Sequence, residues 1–155
     1  MPKLLAFVVC EKVIIDKKDT PSLITIVQNV ELGILPGVEK VEIPPGAVVP
    51  FGWTIFTIWL GSADEAGKTF HQKIETILEK DQDKNPFPRA DLPFVVKEGL
   101  NYNTNTVFGF PASIGTLKVK MWLEAEDGKA ASENYYYPIN VKYSEATKET
   151  AKPSP

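Results

Sequence analysis

The chain has 155 residues, 17 basic and 20 acidic side chains, a formal net charge of −3 and one cysteine, Cys10. This is the length of one ordinary domain, which buries roughly two-thirds of the surface its unfolded chain exposes, so a metal or a disulfide is not needed to hold it. A lone cysteine excludes an internal disulfide and suits a reducing cytoplasm; the missing basic surplus argues against nucleic acid, and no stretch approaches the roughly 20 apolar residues of a membrane span.

Leu4–Ile15 is an apolar run broken by Glu11 and Lys12, Asp16–Ser22 is polar, and Leu23–Leu32 is a second apolar run. Val, Ile, Thr and Phe dominate both runs and fit a pleated, half-buried surface. A β-hairpin with a longer loop is expected. Met1–Cys10 could instead be a lipoprotein signal. However, Leu4–Val9 is shorter than the roughly 7–15 apolar residues of a signal core, and Val8-Val9 stand where small residues belong. Gly33–Pro50 contains Pro36, Pro44, Pro45 and Pro50, which cannot donate to a ladder. It predicts a long crossover with room for a short strand at Val41–Ile43.

Phe51–Leu60 reads as the next strand and Gly61–Lys68 as a turn. In Thr69–Glu79 the residues Phe70, Ile74 and Leu78 fit either period, but β-branched Thr76 and Ile77 favour a strand. Asp81–Arg89 is a loop with Pro86 and Pro88. Leu92–Val96 is a short strand, Glu98–Asn105 a loop rich in Gly and Asn, and Thr106–Phe110 another short strand. Thr116–Ala125 alternates most cleanly, with Leu117, Val119, Met121, Leu123 and Ala125 opposite Lys118, Lys120, Trp122 and Glu124. Asp127-Gly128 is a hairpin turn leading into Ser132–Tyr143. About eight strands with turns between them predict an all-β, antiparallel β-sandwich of immunoglobulin-like or C2-like type over residues 1–143. Residues 144–155 are expected to be a disordered tail.

The opening block, Ala6-Phe7-Val8-Val9-Cys10-Glu11, the turn Asp16–Pro21 and the run Ser22–Val30, resembles a family of small uncharacterised bacterial proteins. Those proteins are single β-sandwich domains by prediction. The resemblance implies that fold and a bacterial origin, and it implies no site. This chain departs from the family pattern at Thr25, where glycine is usual, and at Val27-Gln28, where an aromatic-acidic pair is usual.

The candidate chemistry is sparse. Asp81, Asp83 and Asn85 resemble the first ligands of a calcium loop. Pro86 and Leu92, however, stand where the sharp-turn glycine and the bidentate glutamate belong, so a solvated turn is favoured. A C2-type arrangement would add Asp64 and Asp91. His71 is the only histidine and reads as a surface strand residue; Cys10 reads as a small buried hydrophobe, and nothing points to a Cys10–His71 dyad. There is no nucleotide-binding or hydrolase motif. No cofactor and no enzymatic activity are expected.

The aromatic residues say more. Phe51–Leu60 is apolar on both faces, with Trp53, Ile55 and Trp59 on one and Phe56, Ile58 and Leu60 on the other. Trp122 and Tyr136 fall on outward positions of their strands. Trp53 or Trp59 with Trp122 and Tyr136 could form an exposed aromatic patch, the usual anchor of a binding surface. The sequence thus predicts a cytoplasmic, non-catalytic protein-interaction or assembly module. It would engage a protein partner, or itself, through this aromatic face or through an open sheet edge. The alternative is a ligand-binding sandwich, taking calcium on the Asp-rich loops or carbohydrate on the aromatics.

Overall fold

The computed structural model describes residues 1–33, 43–44, 46–79 and 89–144. Most of the Val41–Ile43 segment, the calcium candidates Asp81 and Asp83, and the tail beyond Ser144 lie outside these residues. Nine strands are present among the described residues: β1 (Lys3–Ile15), β2 (Pro21–Ile26), β3 (Asn29–Leu32), β4 (Val48–Gly61), β5 (Thr69–Leu78), β6 (Ala90–Val95), β7 (Gly99–Pro111), β8 (Gly115–Ala125) and β9 (Tyr135–Tyr143). They form a four-stranded sheet, β2-β1-β4-β7, and a five-stranded sheet, β3-β9-β8-β5-β6. The two sheets enclose one apolar core, which makes an all-β sandwich.

Period-two packing builds that core. On β5, Phe70, Gln72, Ile74, Thr76 and Leu78 are buried while the residues between them are half-buried. On β8, Leu117, Val119, Met121 and Leu123 are fully buried and Lys118, Lys120, Trp122 and Glu124 turn outward, as the alternation requires. Tyr135 and Tyr137 pack against the core and Tyr136 faces out, 54% exposed.

Four expectations are corrected. First, Trp53 and Trp59 are not surface residues: they are 2% and 0% exposed. β4 is flanked on both sides, by β1 and β7, and its Trp53, Ile55, Thr57 and Trp59 side faces the opposite sheet. Each indole N–H also finds an internal acceptor, Trp53 Nε1 donating to the Gly109 carbonyl at 3.1 Å and Trp59 Nε1 to Gln72 Oε1 at 2.8 Å. A satisfied indole can be buried without a desolvation penalty on its polar edge. The other side of β4 is apolar because it too is partly covered; Phe56 is 2% exposed and stacks on Tyr102 with centroids 6.2 Å apart.

Second, Leu23–Leu32 is two strands in different sheets, which raises the strand count to nine. Thr25 sits at φ 50°, a left-handed conformation that bends the chain. Just beyond it Val27 enters the core and its N–H donates to the Val9 carbonyl at 2.8 Å. Third, β3 pairs with β9 in parallel, from Asn29 opposite Asn140 to Leu32 opposite Tyr143. Every other ladder among the described strands is antiparallel. No tight turn joins β3 to β9, so nothing forces the antiparallel sense that hairpins impose.

Fourth, the expected Glu98–Asn105 loop belongs mostly to β7, a single strand of 13 residues paired along β4. Its asparagines have work inside. Asn101 Nδ2 donates to the Lys97 carbonyl at 2.9 Å, its Oδ1 accepts the Lys97 N–H at 2.8 Å, and Asn103 Nδ2 donates to Gln72 Oε1 at 3.2 Å.

Candidate functional site

The two outer faces of the sandwich differ in chemistry. On the five-stranded sheet the outward side chains form a polar network. Lys73 Nζ lies 2.5 Å from Asp91 Oδ2 and 3.5 Å from Glu124 Oε2, and His71 Nδ1 lies 2.8 Å from Asp91 Oδ1. Trp122 Nε1 donates to Glu124 Oε1 at 2.9 Å, and Lys120 Nζ sits 4.6 Å from the centroid of the Trp122 ring. Lys73, and then His71, hold the Asp91 carboxyl below the ordinary carboxylate range. The Trp122 N–H holds Glu124 down in the same way, with Lys73 adding to it against a smaller upward push from burial.

This network decides several of the candidates. Both oxygens of Asp91 are engaged by cations or N–H donors, so it is a poor calcium ligand. Asp64 lies apart from it, in a 3₁₀ turn at Ala63–Glu65. Among the described residues no group of three or more His, Cys, Asp or Glu is arranged to hold a metal. Trp122 and Tyr136 do share this outer face, Tyr136 standing opposite Lys120 on the neighbouring strand. With Trp53 and Trp59 in the core, however, the four aromatics are not one patch. Trp122 is half-buried, with the Lys120 ammonium over its ring.

Cys10 and His71 are not brought together. Cys10 is fully buried on β1, opposite Thr54 and Ile26 in the four-stranded sheet, whereas His71 faces outward from the other sheet. The Cys10 thiol donates to the Thr54 carbonyl at 3.7 Å. Burial pushes its pKa up, only partly offset by the Lys12 backbone N–H. A buried thiol of raised pKa is a weak nucleophile.

The four-stranded sheet has the opposite character. β1 and β4 pair only as far as Cys10 opposite Thr54, but the β1–β2 ladder continues to Ile15 opposite Pro21. The far half of the hairpin is therefore an arm that has left its neighbour. It borders a groove of about 410 Å³, lined by Val13 and Ile15 on the arm and by Thr54, Thr104, Thr106 and Phe108 on the sheet. At its tip, Ile15 and Asp19 border a second groove of about 480 Å³ against Leu100 and Tyr102 of β7 and Phe94 and Val95 of β6.

Glu11 and Lys12 also line the first groove, and Lys97, Asn101 and Asn103 the second. Large apolar side chains are exposed on the same sheet: Ile14, Ile24 and Ile26 on the arm are 44%, 41% and 53% exposed, and Leu100 and Phe108 on β7, which border the grooves, are 50% and 88% exposed. Sequence reading missed these residues. One signal was available: Ile24 and Ile26 share a side of the hairpin, at alternate positions. The other, Leu100 and Phe108 at even spacing, was hidden inside a segment read as a loop. No protein-family model matches the chain, and no curated protein matches it.

Proposed function

We propose that this chain is a non-catalytic protein-interaction or assembly module of immunoglobulin-like or C2-like type, working in a bacterial cytoplasm. The partner is a protein surface, and it docks on the outer side of the four-stranded sheet. The observation that carries this reading is the concentration of exposed aliphatic and aromatic side chains there. Ile24, Ile26, Leu100 and Phe108 stand on one sheet, while the opposite sheet covers itself with ion pairs. Single exposed apolar residues are ordinary, but a concentration of them on one sheet, with Leu100 and Phe108 bordering grooves, marks an interaction site. The buried, protonated thiol of Cys10 is compatible with a reducing compartment.

A photo-reactive phenylalanine analogue at position 108, placed in the cells that make the protein, tests this. We expect a defined protein adduct at position 108 and none with the same probe at position 122, on the other sheet. Absence of an adduct at 108, or equal capture at both positions, overturns the reading.

A further inference from the structure

Each sheet has two edges: β2 and β7 in one, β3 and β6 in the other. An open edge is a row of unpaired N–H and C=O groups, and natural sheets blunt it with charge, proline, kinks or shortness. Three of the four edges carry such a device. β2 begins at Pro21 and is kinked at Thr25. β3 has 4 residues, and β6 carries Asp91 and Pro93 within 6. β7, 13 residues long with no charged side chain, carries none from Leu100 to Phe108: its left-handed Gly109 (φ 92°) and its Pro111 stand beyond that stretch. Among the described residues, nothing hydrogen-bonds to its backbone from Leu100 to Phe108 except β4.

We infer that the free edge of β7 is a self-pairing edge, and that its occupant is β7 of a second copy of this chain, antiparallel about Thr104. This rests on the interaction-module reading and names its partner. The argument is register. With Thr104 opposite Thr104 of the second copy, Leu100 stands opposite Phe108, Asn101 opposite Val107, Tyr102 opposite Thr106 and Asn103 opposite Asn105. The two exposed apolar residues of the strand, Leu100 and Phe108, then cover each other twice across the two-fold axis. Asn103 and Asn105 then stand side by side across the junction, close enough to pair their amides. No like charges oppose one another, because the strand has none. A two-fold axis makes both halves of such an interface identical, so one self-complementary strand suffices. The two sandwiches would share one continuous eight-stranded sheet, with the grooves of both copies on the same side.

The test uses Thr104→Cys in the full chain. Residues directly opposed in an antiparallel pair have Cα atoms about 4.5–5.5 Å apart, within the range that a disulfide spans. We expect Thr104→Cys to cross-link under mild oxidation at least about tenfold faster than Leu100→Cys, which would face Phe108 rather than itself. Buried Cys10 does not compete. Light scattering on the native chain should give twice 17.2 kDa. Thr104→Lys, which sets two like charges across the axis, should return it to the monomer mass. Equal cross-linking of the two cysteine variants, a native mass of 17.2 kDa at every concentration, or a dimer that survives Thr104→Lys would each overturn the inference. If Thr104→Lys fails to fold, the cysteine pair decides. The photo-probe at position 108 separates the two proposals. An adduct with this same chain supports both; an adduct with a different protein keeps the module reading and removes self-pairing; no adduct removes the module reading.

Discussion

The indole N–H of Trp59 donates to Oε1 of Gln72 at 2.8 Å, across the interior of the sandwich. The same oxygen accepts the Thr57 hydroxyl at 2.8 Å and the Asn103 amide at 3.2 Å. One fully buried side chain on β5 thus satisfies three donors from β4 and β7, and it ties the two sheets together in one register.

Replacing Gln72 by leucine keeps the volume but leaves the Trp59 N–H and the Thr57 hydroxyl without an acceptor. An unpaired buried donor costs about 1–3 kcal/mol, so Gln72→Leu should lower stability by about 2–4 kcal/mol. Urea unfolding at constant m-value measures it. The Nε2 group of Gln72 has no partner, so part of the loss is returned. A variant as stable as the native chain would show that the shared acceptor contributes nothing.

Thr25 holds a left-handed backbone with an exposed, β-branched side chain. Such strain costs about 1–3 kcal/mol, against roughly 0.5–1 kcal/mol of extra unfolded-state entropy for glycine. Thr25→Gly should therefore stabilise the fold by about 1 kcal/mol, raising the thermal midpoint, while Thr25→Val should not. A lower midpoint for Thr25→Gly would mean that the threonine side chain, not the bend, matters here.

Gly61 closes β4 against the backbone that enters β7. A Cβ there would overlap the Lys97 carbonyl oxygen and the Val96 side chain, and a backbone atom cannot step aside cheaply. Gly61→Ala should cost about 1–3 kcal/mol. Gly33→Ala, where an added Cβ meets nothing within 4 Å, should stay within about 0.5 kcal/mol of the native chain. Equal effects of the two substitutions in denaturant melts would contradict the packing.

The polar face sets an acid limit. Asp91 and Glu124 titrate low for the reasons given above, and Lys129 does the same for Asp127. Their folded values lie below the unfolded ones. Their contribution is therefore complete above about pH 5, past the unfolded carboxylate range, and is lost as pH falls through the folded values. The urea midpoint should fall as pH drops below about 5. Lys73→Met should raise the Asp91 titration midpoint, read by carboxyl NMR shifts; an unmoved midpoint would show that the Lys73–Asp91 contact is not formed in solution.

How much of this was legible beforehand depends on how far each signal reaches along the chain. Thr116–Ala125 was readable because alternation is a local property: each side chain flips with its own backbone, whatever the partner strand. The Asp127-Gly128 turn was readable for the same reason, and Gly128 takes the expected positive φ of 79°. Asn101 and Asn103 were misread because their value lies in Lys97, Gly99 and Gln72, partners that composition cannot name.

The amino-acid sequence alone determined that the chain is all β, and which residues of β5, β8 and β9 share a side, since both follow from a two-residue period and from side-chain shape. Which side of β4 is dry, which strand is left at an edge, and which of the two sheets shows an apolar face were decided only by tertiary structure. Those outcomes depend on the sheet that covers each face and on strands dozens of residues away, and no local pattern encodes them.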